Sequence, residues 1–93
     1  MIDINCYHSL ELPDETFPAE LPAVPRVGDF IGSETQYSDG VCVELEVRRV
    51  RWMHDGFDYI PCIELGVPSV YDSHAEFYQH YEEIKEWGHE NRS

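Results

Sequence analysis

Alternation of apolar and polar residues is strongest between Val41 and Trp52. Val41, Val43, Leu45 and Val47 occupy odd positions with Cys42, Glu44 and Glu46 between them, the period-two pattern of a strand buried on one face. At Arg48 and Arg49 two polar residues follow each other, and the apolar phase moves to even positions, Val50 and Trp52. One extra residue in a strand has this effect, so the pattern predicts a β-bulge at the Arg pair. Downstream, Asp55-Gly56 predicts a two-residue hairpin turn, because both residues tolerate the positive φ of a type I′ turn. Closing the hairpin there sets Trp52 opposite Tyr59 and Val50 opposite Pro61. The bulge then brings Val47 to Ile63 and Leu45 to Leu65, so that apolar meets apolar along the whole ladder. On the outward face the same register opposes Glu46 to Glu64.

The flanks are read in the same way. Ile2, Ile4 and Cys6 alternate with Asp3 and Asn5, predicting an N-terminal strand within residues 1–12. Pro13, Pro18, Pro22 and Pro25 interrupt residues 13–25; proline cannot donate to a ladder, so this is an extended, largely unpaired arm, anchored by Phe17, Leu21 and Val24. A turn at Pro25 to Asp29, with Gly28 supplying the special backbone angle, leads into a strand at Phe30-Ile31, and a polar loop spans Gly32 to Gly40. The barrel strands as a group occupy residues 26–68. A helix is predicted over 72–88. Ser73 stands at capping-box distance from Glu76, Phe77, Tyr81 and Ile84 share one face with Tyr78 and Trp87 on its borders, and Gly88 is placed to stop it. The expected core is Ile2, Ile4, Val27, Phe30, Val43, Leu45, Val47, Val50, Trp52, Tyr59, Ile63, Leu65, Phe77, Tyr81 and Ile84.

Length allows one domain, 1–93. No charged-then-apolar leader and no span-length apolar run is visible, which leads us to expect a cytoplasmic protein without membrane attachment. The cysteines are three, Cys6, Cys42 and Cys62, an odd count without a C-x-x-C pair, so neither a disulfide framework nor a metal knuckle is expected. Charge changes the picture most: nineteen acidic residues against six basic ones give a net of −13. Such a surface repels nucleic acid and anionic lipid and attracts basic surfaces, many of which are nucleic-acid-binding grooves.

Candidate chemistry is sparse. Glu76 and His80 form an i, i+4 pair on the helix, but no third ligand follows at a motif spacing, so no metal or other cofactor is expected. Cys6 and His8 are near in sequence without an orienting acid, and neither a nucleophile elbow nor a Gly-rich phosphate loop is present; the sequence argues against an enzyme. Arg48, Arg49 and Arg51 beside Trp52 form a basic patch with an aromatic, a possible hold on a nucleic acid strand. The adjacent glutamates and the net charge argue against direct nucleic-acid binding.

The segments "PRVGDFI", "VELEVRRVRW" and "YIPCIEL" together resemble small SH3-like barrel proteins of phage and bacterial origin, across Val24 to Leu65. The resemblance implies a small SH3-like antiparallel β-barrel and no activity, since most such proteins have none assigned; with the C-terminal amphipathic helix, which lies outside the resemblance, the expected fold class is α+β. The leading expectation is a non-enzymatic module whose acidic face engages a basic protein surface. Inhibitors of nucleic-acid-targeting defence systems, of the anti-CRISPR kind, share its size and charge. The partner-binding residues expected are Glu82, Glu83, Glu86 and Glu90 on the helix, then Glu44, Glu46 and Glu64 on the strands. Two alternatives stand beside it: an assembly protein self-associating as a homodimer through Tyr78 and Trp87, and an immunity protein against a basic toxin nuclease.

Overall fold

The ladder between Glu44 and Gly66 carries the fold. In the computed structural model, which describes residues 1–13, 15–35 and 42–90 (87–90 by backbone alone), β5 runs Glu44–His54 and β6 runs Tyr59–Gly66. They pair antiparallel with a register jump between Val47 and Arg49, which leaves Arg48 as the extra residue of the predicted bulge. Val41, expected to open this strand, and the loop positions 36–40 lie outside the described residues.

The register differs from the expected one by two residues: Trp52 faces Pro61, Val50 faces Ile63 and Val47 faces Leu65. The turn is the cause. Four residues, Asp55 to Asp58, connect the paired His54 and Tyr59. The Asp55 amide donates to the Asp58 carbonyl at 3.0 Å, and Asp55 Oδ1 accepts from the amides of Phe57 at 2.9 Å and Asp58 at 2.8 Å. Gly56 takes a φ of 102°. Side chains alternate with period two, so a slip of two keeps every residue on its own face and apolar matching survives. The outward pairs do change: Glu46 faces Gly66 and Glu64 faces Arg49, so the expected opposition of Glu46 and Glu64 does not form.

The N-terminal alternation makes two strands, β1 (Ile2–Asp3) and β2 (Asn5–Tyr7), separated at the buried Ile4. The Ile4 amide donates to the Ala19 carbonyl at 2.9 Å. β1 pairs antiparallel with β3 (Glu20–Leu21) inside the proline arm, so the arm is partly paired after all. β2 joins β6 in parallel, and β4 (Phe30–Gly32) joins β5 antiparallel. The order β2-β6-β5-β4 makes a curled, mixed half-barrel with one C-terminal helix. The α+β class holds; a wholly antiparallel barrel does not, because β2 enters parallel to β6.

Phe17, Leu21 and Val24 anchor the arm against the core as expected. Thr16 holds it to the end of β4: its carbonyl accepts from Ser33 Oγ at 3.3 Å and from the Glu34 amide at 2.6 Å. Pro18, Leu21 and Val24 line a shallow groove together with Phe30, Ile31 and Gly32 of β4.

Leu45, Val47 and Ile63 are fully enclosed, with Ile4, Leu12, Ile31, Val43, Leu65, Val67, Phe77 and Tyr81 around them. Five residues expected in this core are exposed: Ile2, Val27, Phe30, Trp52 and Tyr59. Phe30 pairs with Glu46 on the outer face while Ile31, opposite Leu45, takes the core position. Val27 sits in the turn closed by the Asp29 amide on the Arg26 carbonyl, with Gly28 at φ 99°. Trp52 and Tyr59 are on the core side of their strands but beyond the end of the core. Ile84 and Val50 are half-buried.

The helix α1 spans His74–Glu90. Ser73 Oγ accepts from the Glu76 amide at 3.2 Å, the predicted cap. The reciprocal bond goes one residue upstream, from the Asp72 amide to Glu76 Oε2 at 3.1 Å. Gly88 lies within the helix and does not end it. Phe77 and Tyr81 bury against the core, and Tyr71 packs edge-on to Phe77 with ring centroids 5.5 Å apart.

Candidate functional site

Helical geometry places Glu82 and Glu86 one turn apart, about 6 Å along the axis, with Glu83 beside them. All three are exposed. Glu83 Oε2 stands 4.0 Å from His80 Nδ1, and the Lys85 ammonium lies over the Tyr81 ring at 5.0 Å from its centroid. This is the acidic face expected from the sequence. The side chains of Trp87 and Glu90 lie outside the described residues. Tyr78 is half-buried, and its hydroxyl accepts from the Glu11 amide at 2.9 Å; its polar end is thus engaged within the chain.

The strand acids divide. Glu44 is exposed, and Glu64 is half-buried opposite Arg49. Glu46 is only 8% exposed, covered on the outer face by its partners Ser69 and Arg48. Its Oε1 accepts from the Ser69 amide at 3.0 Å and from Ser69 Oγ at 2.9 Å, and its Oε2 is 3.3 Å from Arg48 Nη1. Arg48, the extra residue of the bulge, lies across Gly66, where a Cβ would stand 3.0 Å from its Cγ, and donates from Nη2 to the Val67 carbonyl. The Ser69 bonds, with help from Arg48 and against burial, hold the Glu46 carboxyl below the usual carboxylate range. Glu46 is therefore a clamp that ties the bulge to the segment after β6. The only hint of it in the sequence is the coincidence of a doubled Arg and a Gly-Val-Pro-Ser exit.

Two surfaces escaped the sequence reading. One is a cleft of about 290 Å³ between α1 and the start of β5, walled by Phe30, Val70, Tyr71 and Ile84, with Glu44 and His80 also lining it. Burial, then the charges of Glu76 and Glu44, push the Tyr71 hydroxyl up; burial, then Glu44 and Glu15, raise the Cys42 thiol. Negative potential thus reaches the cleft from several carboxylates. The other is the end of the β5–β6 hairpin, where Trp52 is 57%, Tyr59 62% and Phe57 96% exposed. His54 packs edge-on to Tyr59 at 5.0 Å between centroids.

His8, Glu76 and His80 each have a partner within the chain. His8 Nδ1 accepts from the Leu10 amide at 3.1 Å and its ring meets Phe17 edge-on, while burial raises the neighbouring Cys6 thiol. Glu76 caps the helix, and His80 leans between Glu83 and the Tyr71 ring. Among the described residues no three His, Cys, Asp or Glu side chains converge as a metal site requires, and no helix is long and apolar enough to cross a membrane. No protein-family profile, curated protein or solved structure matches the chain.

Proposed function

We propose that this protein is a non-enzymatic acidic binding module, built on a small SH3-like half-barrel, that occupies a basic surface of a protein partner. The carrying observation is the exposed row Glu82, Glu83 and Glu86 on one helix of a chain with net charge −13. Carboxylates spaced along a rigid rod imitate the fixed negative charges of a nucleic acid backbone, and a groove shaped for nucleic acid presents the complementary charge. Glu44, exposed on the sheet, extends the same potential, whereas Glu46 belongs to the bulge clamp and contributes structure. A cytoplasmic inhibitor of a nucleic-acid-targeting protein is the role that suits this chemistry.

The test is affinity capture from nuclease-treated lysate with elution on a salt gradient. The wild-type chain retains one basic nucleic-acid-binding protein, and reversal of Glu82, Glu83 and Glu86 to Lys moves its release to much lower salt. Retention unchanged by the triple reversal removes this reading.

A further inference from the structure

The cleft between α1 and the start of β5 is lined by four aromatic rings. Phe77 and Tyr81, each 2% exposed, belong to its enclosed side, and Phe30, 50% exposed, to its open side. Tyr71 is half-buried, and its ring stands at 77° to that of Phe77 with centroids 5.5 Å apart. Two rings at nearly a right angle give the wall a corner rather than a flat stack. At about 290 Å³ the cleft lies near the lower bound of small-ligand sites, roughly 300 Å³. It has room for a small molecule only.

Its charge is one-sided. Glu44 lines it and is exposed, and none of the described residues lining it is Lys or Arg. His80, also on the wall, stands 4.0 Å from Glu83 Oε2. Lys85, whose ammonium lies over the Tyr81 ring, lines a separate groove with Leu10 and Pro13. After burial, the charges of Glu76 and Glu44 are what push the Tyr71 hydroxyl up. A field that opposes a phenolate at that place favours a cation there.

Aromatic faces attract cations through their quadrupole, and a carboxylate at the rim adds to that attraction. The kind of cation follows from what the lining offers. A bare ammonium brings three N–H donors and a guanidinium five, and donors left unmet in a cleft are costly. One carboxylate cannot satisfy them. A metal ion needs several converging ligands, and no three His, Cys, Asp or Glu side chains converge among the described residues. A cation whose charge is spread over methyl groups needs no hydrogen bonds and suits rings and aliphatic walls.

We infer that this cleft binds a small quaternary ammonium compound, a free molecule whose methylated head lies among Phe30, Tyr71 and Phe77 with its charge toward Glu44. The site stands apart from the reading of Glu82, Glu83 and Glu86 as a protein-binding row, and either can fail alone.

Chemical-shift titration of the full chain with choline chloride, at ionic strength held constant with sodium chloride, tests this. Choline causes saturable shifts at Val43, Val70, Tyr71 and Ile84, with a dissociation constant on the order of 1 mM for so small a ligand. Its uncharged carbon isostere, 3,3-dimethyl-1-butanol, keeps the shape without the charge and binds about tenfold more weakly. Phe30→Leu and Glu44→Gln, both at exposed positions, keep the wild-type circular dichroism and each weaken choline about three- to tenfold. Glu82→Gln, outside the cleft, leaves choline binding unchanged. Shifts that grow without saturating, or equal affinity for choline and the alcohol, overturn the proposal. So does wild-type affinity in both cleft variants, or a loss in Glu82→Gln as large as that in Glu44→Gln.

Discussion

The two ends of the β5–β6 hairpin share one ladder and one alternation, yet they do opposite things. At its base Leu45, Val47, Ile63 and Leu65 are enclosed by Ile31, the N-terminal segment and the helix, and Arg48 and Glu46 lock the bulge to Ser69 and Val67. At its tip Trp52 and Tyr59, on the same side of the strands, are exposed, with no layer above them among the described residues. Alternation reports which side of a strand is apolar; burial depends on whether another element reaches it. The base holds the fold, and the tip is surface available for binding.

Truncation separates the ends most sharply. Ile63→Ala at the base destabilises by about 2–5 kcal/mol in urea denaturation, the loss of buried methyl groups plus a cavity. Next comes the clamp. Glu46→Ala strands the Ser69 donors and Arg48 and lowers stability by about 1–3 kcal/mol. Its pH dependence has a definite sign. The folded carboxyl titrates below its unfolded value, so its contribution is complete above the unfolded pKa, about 4.3 for Glu, and is lost as pH falls through the lower folded pKa. Acid denaturation of Glu46→Gln therefore begins from a lower plateau and is less steep than that of the wild type.

Ser73→Ala, which removes the bond from Ser73 Oγ to the Glu76 amide, reduces thermal stability by about 1 kcal/mol. Trp52→Ala at the tip changes monomer stability least, within about 0.5 kcal/mol, as for an exposed residue without special contacts. A loss at Trp52 as large as that at Ile63 would mean that the tip belongs to the core.

Much of the half-barrel was legible because period two and period 3.6 survive in the sequence. The bulge at Arg48, the arm anchors Phe17, Leu21 and Val24, the Ser73 cap and the buried helix stripe of Phe77 and Tyr81 were readable from spacing. The register was not. A slip of two residues preserves every face, so apolar matching could not distinguish a two-residue turn from the four-residue turn that Asp55 stabilises with its own side chain. The parallel entry of β2 and the pairing of β1 with Glu20–Leu21 depend on long-range contacts that leave no local pattern. Gly88 looked like a terminator, but glycine inside a helix carries only a modest propensity penalty. For the candidate site, the exposed positions of Glu82, Glu83, Glu86 and Glu44 followed from phase. The covering of Glu46 depends on Ser69, twenty-three residues away, and no alternation rule reaches that far.

Residue-resolved amide hydrogen exchange at low protein concentration tests the division of the hairpin most directly. Amides of Leu45, Val47, Ile63 and Leu65 should exchange only through global unfolding, while those from Met53 to Tyr59 exchange by local opening at far lower free energy. Equal protection from base to tip would contradict the division and place the exposed aromatics under a layer that holds them as firmly as the core.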